Sequence, residues 1–256
     1  MKEKARLVLG ALVTANVLVY ARQDVLSPLV WSHSIYDSSL ISIIASMFHH
    51  ADVPHLVVNM LCLWHYGNEV FVNSSSKTWQ YPLVILVIYL FSGIGGACGT
   101  IALSHLFESQ WNQRLQTTRD AITCSSWMCQ SLSVNYAILP FADLYTYVRY
   151  SSEATALWRY KLVGRLGASG AVSGVMGARI YTAYFSPWHR SLTQTDAIFV
   201  VASVANEFVH TPFTLSRLWE LTTEGDGVDH GCHFFGMLSG ISIAAIIQVF
   251  VNKCRK

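Results

Sequence analysis

Charge is what this sequence has least of: Asp, Glu, Lys and Arg make up 12% of its 256 residues, against roughly a quarter in an average soluble domain. With 52% hydrophobic residues and a mean hydropathy of +0.37, that scarcity excludes an ordinary soluble domain. The net charge of +2 and the lack of any Lys/Arg block exclude a polyanion-binding surface, so no nucleic-acid partner is expected. Internal repeats and low-complexity tracts are missing beyond Ser74-Ser75-Ser76. His49, His50, His55 and His65 have no Cys or carboxylate joining them at a recognised ligand spacing, so no metal is expected. The six cysteines are uninformative about compartment: Cys62, Cys98, Cys232 and Cys254 lie in or beside apolar runs, and Cys124 with Cys129 fits a disulfide or two thiols equally.

What is there is a series of apolar runs, at about 5–22, 54–72, 82–105, 169–185, 194–211 and 232–251, most near the ~20 residues that cross a bilayer. They predict an all-α membrane protein, a single domain over 1–256 with six transmembrane helices. His55, Asn59 and Glu69 interrupt the second run, and Asn206 and Glu207 the fifth. Basic residues set the orientation: Lys2, Lys4, Arg6, Lys77, Arg190, Lys253, Arg255 and Lys256 fall on one side, and only Arg22 and Arg217 in the two short loops of the other. Both termini are therefore expected on the cytosolic or equivalent side. The first run reads as a retained anchor, because Ala21-Arg22-Gln23 is a poor cleavage site. The short, mildly basic N-terminus differs from an Arg- and Ser-rich mitochondrial presequence, which favours a secretory-pathway membrane over the mitochondrial inner membrane. The segment from about 106 to 166 is too polar to span and reads as an insertion in an outer loop.

In this topology the second, fourth and sixth spans all run inward from the outer face. Their first turns then share one depth, and they carry His50, His55 and Asn59, then Ser169, then His233. Residues four apart share a helix face, so His55 lies with Asn59, Gly170 with Gly174, and Gly236 with Gly240. Small-residue faces let two helices approach closely in lipid, and the fourth and sixth spans would thereby bring Ser169 and His233 within hydrogen-bond reach.

A serine hydroxyl and a neutral imidazole suit acyl transfer, with Ser169 as nucleophile and His233 as base. Gly167 and Gly170 flank the serine and permit a strained, exposed hydroxyl. The serine amide at a helix start would donate to a developing oxyanion, with His55 and Asn59 as further donors. Asp229, four residues before His233, is a candidate third member, though none is required. Each element also has a plainer meaning. A serine between glycines is most often a packing residue, Gly236-xxx-Gly240 a packing motif, and a lone helix histidine a satisfied core group.

Taken together, His50-x4-His55-x3-Asn59, Gly-x-Ser-Gly at 167–170 and His233-x2-Gly236-x3-Gly240 resemble the rhomboid family of intramembrane serine proteases over roughly 40–250. The resemblance implies a six-transmembrane-helix rhomboid-like bundle and a Ser169–His233 dyad without an aspartate. It implies His55 and Asn59 as oxyanion donors, and His50, Gly167, Gly170, Gly236 and Gly240 as structural residues near the site. The implied partners are the lipid bilayer and single-span membrane proteins, cut within or next to their transmembrane segment, and no cofactor is implied. Two departures stand out. Ser173 takes the place where many members carry an aromatic residue, and Ser39-Leu40-Ile41-Ser42 precedes His50 where a Trp-Arg pair is often found. Non-catalytic rhomboid-like proteins that bind membrane clients are the alternative class, and those lack the serine, the histidine or both.

Overall fold

The computed structural model describes residues 1–22, 39–50, 52–102, 113, 168–186, 192–194, 196–198, 201 and 230–253, and all regular structure among them is helical. We number the helices α1 (Lys2–Ala21), α2 (Leu40–Ser46), α3 (Val53–Gly67), α4 (Pro82–Ala102), α5 (Ala168–Phe185) and α6 (His230–Lys253). A π-helical turn, Asn68–Val72, continues α3. The expected span at 194–211 and the insertion at 106–166 lie almost wholly outside the described residues. Gly167, Asp229, Cys124, Cys129 and Cys254 also lie outside them.

Local chemistry starts the helices where the sequence supplies caps. Ser39 accepts from the Ser42 amide at 3.2 Å ahead of α2. Asp52 accepts from the His55 amide at 2.7 Å ahead of α3, and Pro54 occupies the first turn of that helix, where its missing N–H costs nothing. Three helices, α1, α4 and α6, are long and apolar enough to cross a membrane, matching the apolar runs at 5–22, 82–105 and 232–251. α3 is 15 residues long, too short by itself to meet that standard. α5 has 18 residues but carries polar groups, Ser169 and the buried Arg179 among them.

Two glycine seams hold α6. On one side, a side chain on Gly236 would meet the carbonyl oxygen of Gly170, and one on Gly240 the carbonyl oxygen of Gly174. The partners advance by four residues on both helices, so α5 and α6 run parallel. On the other side Gly95 faces Ser239, Gly96 faces Cys232 and Gly99 faces Phe235. From Gly95 to Gly99 the partner falls back one turn, from Ser239 to Phe235, so α4 and α6 are antiparallel. The apolar core, in which Leu9, Leu63, Phe71, Trp79, Ile85 and Ile88 are fully buried, also takes in Val172 and Val175 of α5 and Ala244 of α6. Outward positions such as Leu61, Leu83, Ile246 and Phe250 are exposed and apolar, as lipid contact requires.

Some ten residues beyond Ser169, about 15 Å along α5 at 1.5 Å per residue, Arg179 forms a buried ion pair. Its Nη2 donates to Asp196 Oδ2 at 2.8 Å, and His65 Nε2 lies 2.9 Å from Asp196 Oδ1. The Thr193 amide and hydroxyl donate to the same carboxylate at 2.9 and 3.0 Å. Asp196 thus ties α3, α5 and the start of the 194–211 segment together.

Candidate active site

Ser169 sits in the first turn of α5 and is buried, 7% exposed. His233 sits in the first turn of α6 and is partly buried. The parallel seam puts those turns in one layer, since Gly170 abuts Cys232, the residue before His233, and Gly236, three residues after it. The serine amide therefore opens a helix, where N–H groups lack intrahelical partners and the dipole favours negative charge.

α3 brings the other two expected residues. The His55 backbone is fixed by the Asp52 cap, and its ring lies close enough to His233 for a charge on one to be felt by the other. Asn59 is buried and gives one Nδ2 hydrogen to the His55 carbonyl at 2.8 Å. A side-chain amide has two such hydrogens, so one donor remains. His55, Asn59, Ser169 and His233 thus come from three helices, and contacts between those helices draw them to one end of the bundle.

His50 lies in the loop before α3 and is completely buried. Its ring meets that of His55 edge to face, centroids 5.3 Å apart, and its Nε2 is 3.0 Å from Asn16 Oδ1. Burial, reinforced by the neighbouring His55 and His49, pushes the His50 imidazole down to about 3, so it is neutral at any ordinary pH.

A family model, the rhomboid domain, matches residues 37–249. The chain belongs to the rhomboid family. Neither a curated protein nor a solved structure matches it. The rhomboid match takes in every expected site residue; α1 lies wholly outside it, and it ends about one turn before the end of α6. The rhomboid family consists mostly of intramembrane serine proteases, with non-catalytic members among them.

Asn16, Tyr89, Arg179 and Asp196 were not singled out from the sequence. Asn16 gave a signal nonetheless: it is a lone amide within an apolar run, and a polar side chain at membrane depth needs a partner. Arg179 gave the same signal more strongly, as a charged side chain within an apolar run, whereas Tyr89 gave none, since a tyrosine is ordinary in an apolar run. Among the described residues no group of three His, Cys, Asp or Glu side chains is arranged to hold a metal ion.

Proposed function

We propose that this chain is an intramembrane serine endopeptidase that cuts single-span membrane proteins within or next to their transmembrane segment. The bundle then has six transmembrane helices, with both termini on the cytosolic or equivalent side of a secretory-pathway membrane. The observation that carries this reading is the parallel glycine seam between α5 and α6, which levels the turn bearing Ser169 with the turn bearing His233.

Ser169 Oγ attacks the scissile carbonyl carbon as His233 takes its proton. The carbonyl oxygen gains negative charge and is met by the Ser169 amide, the His55 ring and the spare Asn59 hydrogen, donors held in place before the reaction. The C–N bond then breaks, and His233 returns the proton to the leaving amine. Water, deprotonated by the same imidazole, cleaves the acyl-serine ester and regenerates the hydroxyl. Small residues at the substrate bond favour this chemistry, because a helix that unwinds easily exposes its carbonyl.

The test is cleavage of a model single-span substrate in liposomes by the native chain, Ser169→Ala and His233→Ala. Cleavage by the native chain alone is the expected result. Binding without cleavage, under conditions where another rhomboid is active, would replace this reading with that of a client-binding protein and direct attention to Ser173.

A further inference from the structure

We infer that Asn16 is a positioning residue for the oxyanion site: from α1 it holds His50, and through His50 it fixes the ring of His55. The inference rests on the protease reading, in which His55 donates to the oxyanion. Asn16 lies in a helix outside the matched rhomboid domain, and it is fully buried in a membrane-length apolar helix. An amide there is costly unless its polar atoms are engaged.

The hydrogen bonds assign every proton. Asn16 Nδ2 lies 2.8 Å from the Leu12 carbonyl oxygen, which can only accept, so Nδ2 is the donor nitrogen and Oδ1 the acceptor. His50 must then present N–H at Nε2 to reach Asn16 Oδ1 at 3.0 Å. A neutral imidazole has one N–H, so Nδ1 is the bare nitrogen. Tyr89 completes the set: its hydroxyl donates to the Met47 carbonyl at 2.8 Å and accepts from Asn16 Nδ2 at 3.2 Å.

Asn16 and Tyr89 therefore clamp the loop 47–50 at both ends, one at Met47 and the other at His50. Tyr20, one turn further along α1, packs edge-on to the same ring, centroids 6.5 Å apart. Held in this way, His50 presents a fixed edge to His55, 66° from parallel. A catalytic donor misplaced by about 1 Å costs up to about 100-fold in rate, so an orienting contact of this kind acts on turnover more than on substrate binding.

The test uses the full chain in liposomes with Asn16→Ala, Tyr89→Phe, His55→Ala and the Asn16→Ala/His55→Ala pair. ¹⁵N spectra of labelled histidine should show His50 protonated at Nε2 in the native chain and a mixture of tautomers in Asn16→Ala. Cleavage by Asn16→Ala should fall about tenfold in kcat with KM little changed. In the His55→Ala background the same change should cost no more than about twofold, because the ring it acts through is gone. Full additivity, or a loss of folded protein with kcat per folded molecule unchanged, would overturn the inference. Asn16→Leu, which nearly keeps the volume and removes both polar atoms, replaces Asn16→Ala if that variant does not fold. A native chain that fails to cut while His50 shows the Nε2–H form removes the protease reading itself. A native chain that cuts while the two substitutions act independently removes the Asn16 inference alone.

Discussion

The carbonyl oxygen of Gly170 stands where a side chain on Gly236 would have to go. Contact between the helix of Ser169 and the helix of His233 is therefore made through backbone, and backbone cannot swing aside as the tip of a side chain can. Gly236→Ala and Gly240→Ala should each destabilise the protein by about 1–3 kcal/mol, the usual range for overpacking, and should lower cleavage by parting the two first turns. Gly10→Ala is the control, because a methyl there meets nothing within 4 Å. It should stabilise by up to about 1 kcal/mol through helix propensity. Thermal unfolding of the three variants in one detergent decides the matter, and equal stabilities for Gly240→Ala and the native chain would refute the seam.

The Asp196 carboxylate is fully buried and answers Arg179, His65 and Thr193 at once. Its removal leaves the Arg179 guanidinium buried without its nearest counter-charge, Glu69 standing farther off at 3.9 Å. Asp196→Ala should cost about 3–5 kcal/mol. The Asp196→Ala/Arg179→Ala pair should cost less than the sum of the two single changes, a cycle that unfolding measurements can close.

Acid should act on His50 in a definite direction. The folded protein holds this imidazole at about 3, below its ordinary 6.5, so the unfolded chain binds the proton first. Its contribution to stability is complete above about pH 6.5 and declines as pH falls toward 3, with a slope of at most about 1.4 kcal/mol per pH unit. The ¹⁵N signature of His50 should accordingly remain that of a neutral ring at pH 5, where solvent-exposed histidines are protonated. A protonated His50 at that pH would contradict the burial on which the network depends.

Asp52 joins helix formation to the site, since the amide it caps belongs to His55. Asp52→Ala should destabilise by about 1 kcal/mol and reduce kcat. Asp52→Asn keeps a capping oxygen and should do little of either. A comparable loss in both variants would mean that charge, not the cap, is what the position supplies.

Much of this arrangement was legible in the chain itself. Long apolar runs announced α1, α4 and α6, because in lipid only composition and length are needed to define a span. The four-residue spacing of Gly170 with Gly174 and of Gly236 with Gly240 announced the faces that meet, since glycine spacing is a statement about backbone distance. The row Gly95, Gly96 and Gly99 carried the same message for α4 and α6 but was submerged in an apolar run. Asp196 with Arg179, and Asn16 with His50 and Tyr89, were not legible. Each is a contact between polar groups far apart in sequence, and nothing in the spacing within a single helix says which distant partner satisfies them. The π-helical turn after Gly67 was equally silent, as no residue type demands it.

The two seams also bear on motion. Sideways displacement of α6 would open its contacts with α4 and α5 together, parting backbone from backbone on the α5 side and the side chains of Ser239 and Phe235 from glycines on the α4 side. The helix that carries His233 is thus closely fitted along two neighbours. On the proposed protease reading, the yielding that admits another membrane-spanning helix would fall to elements that share neither seam, leaving the imidazole level with Ser169.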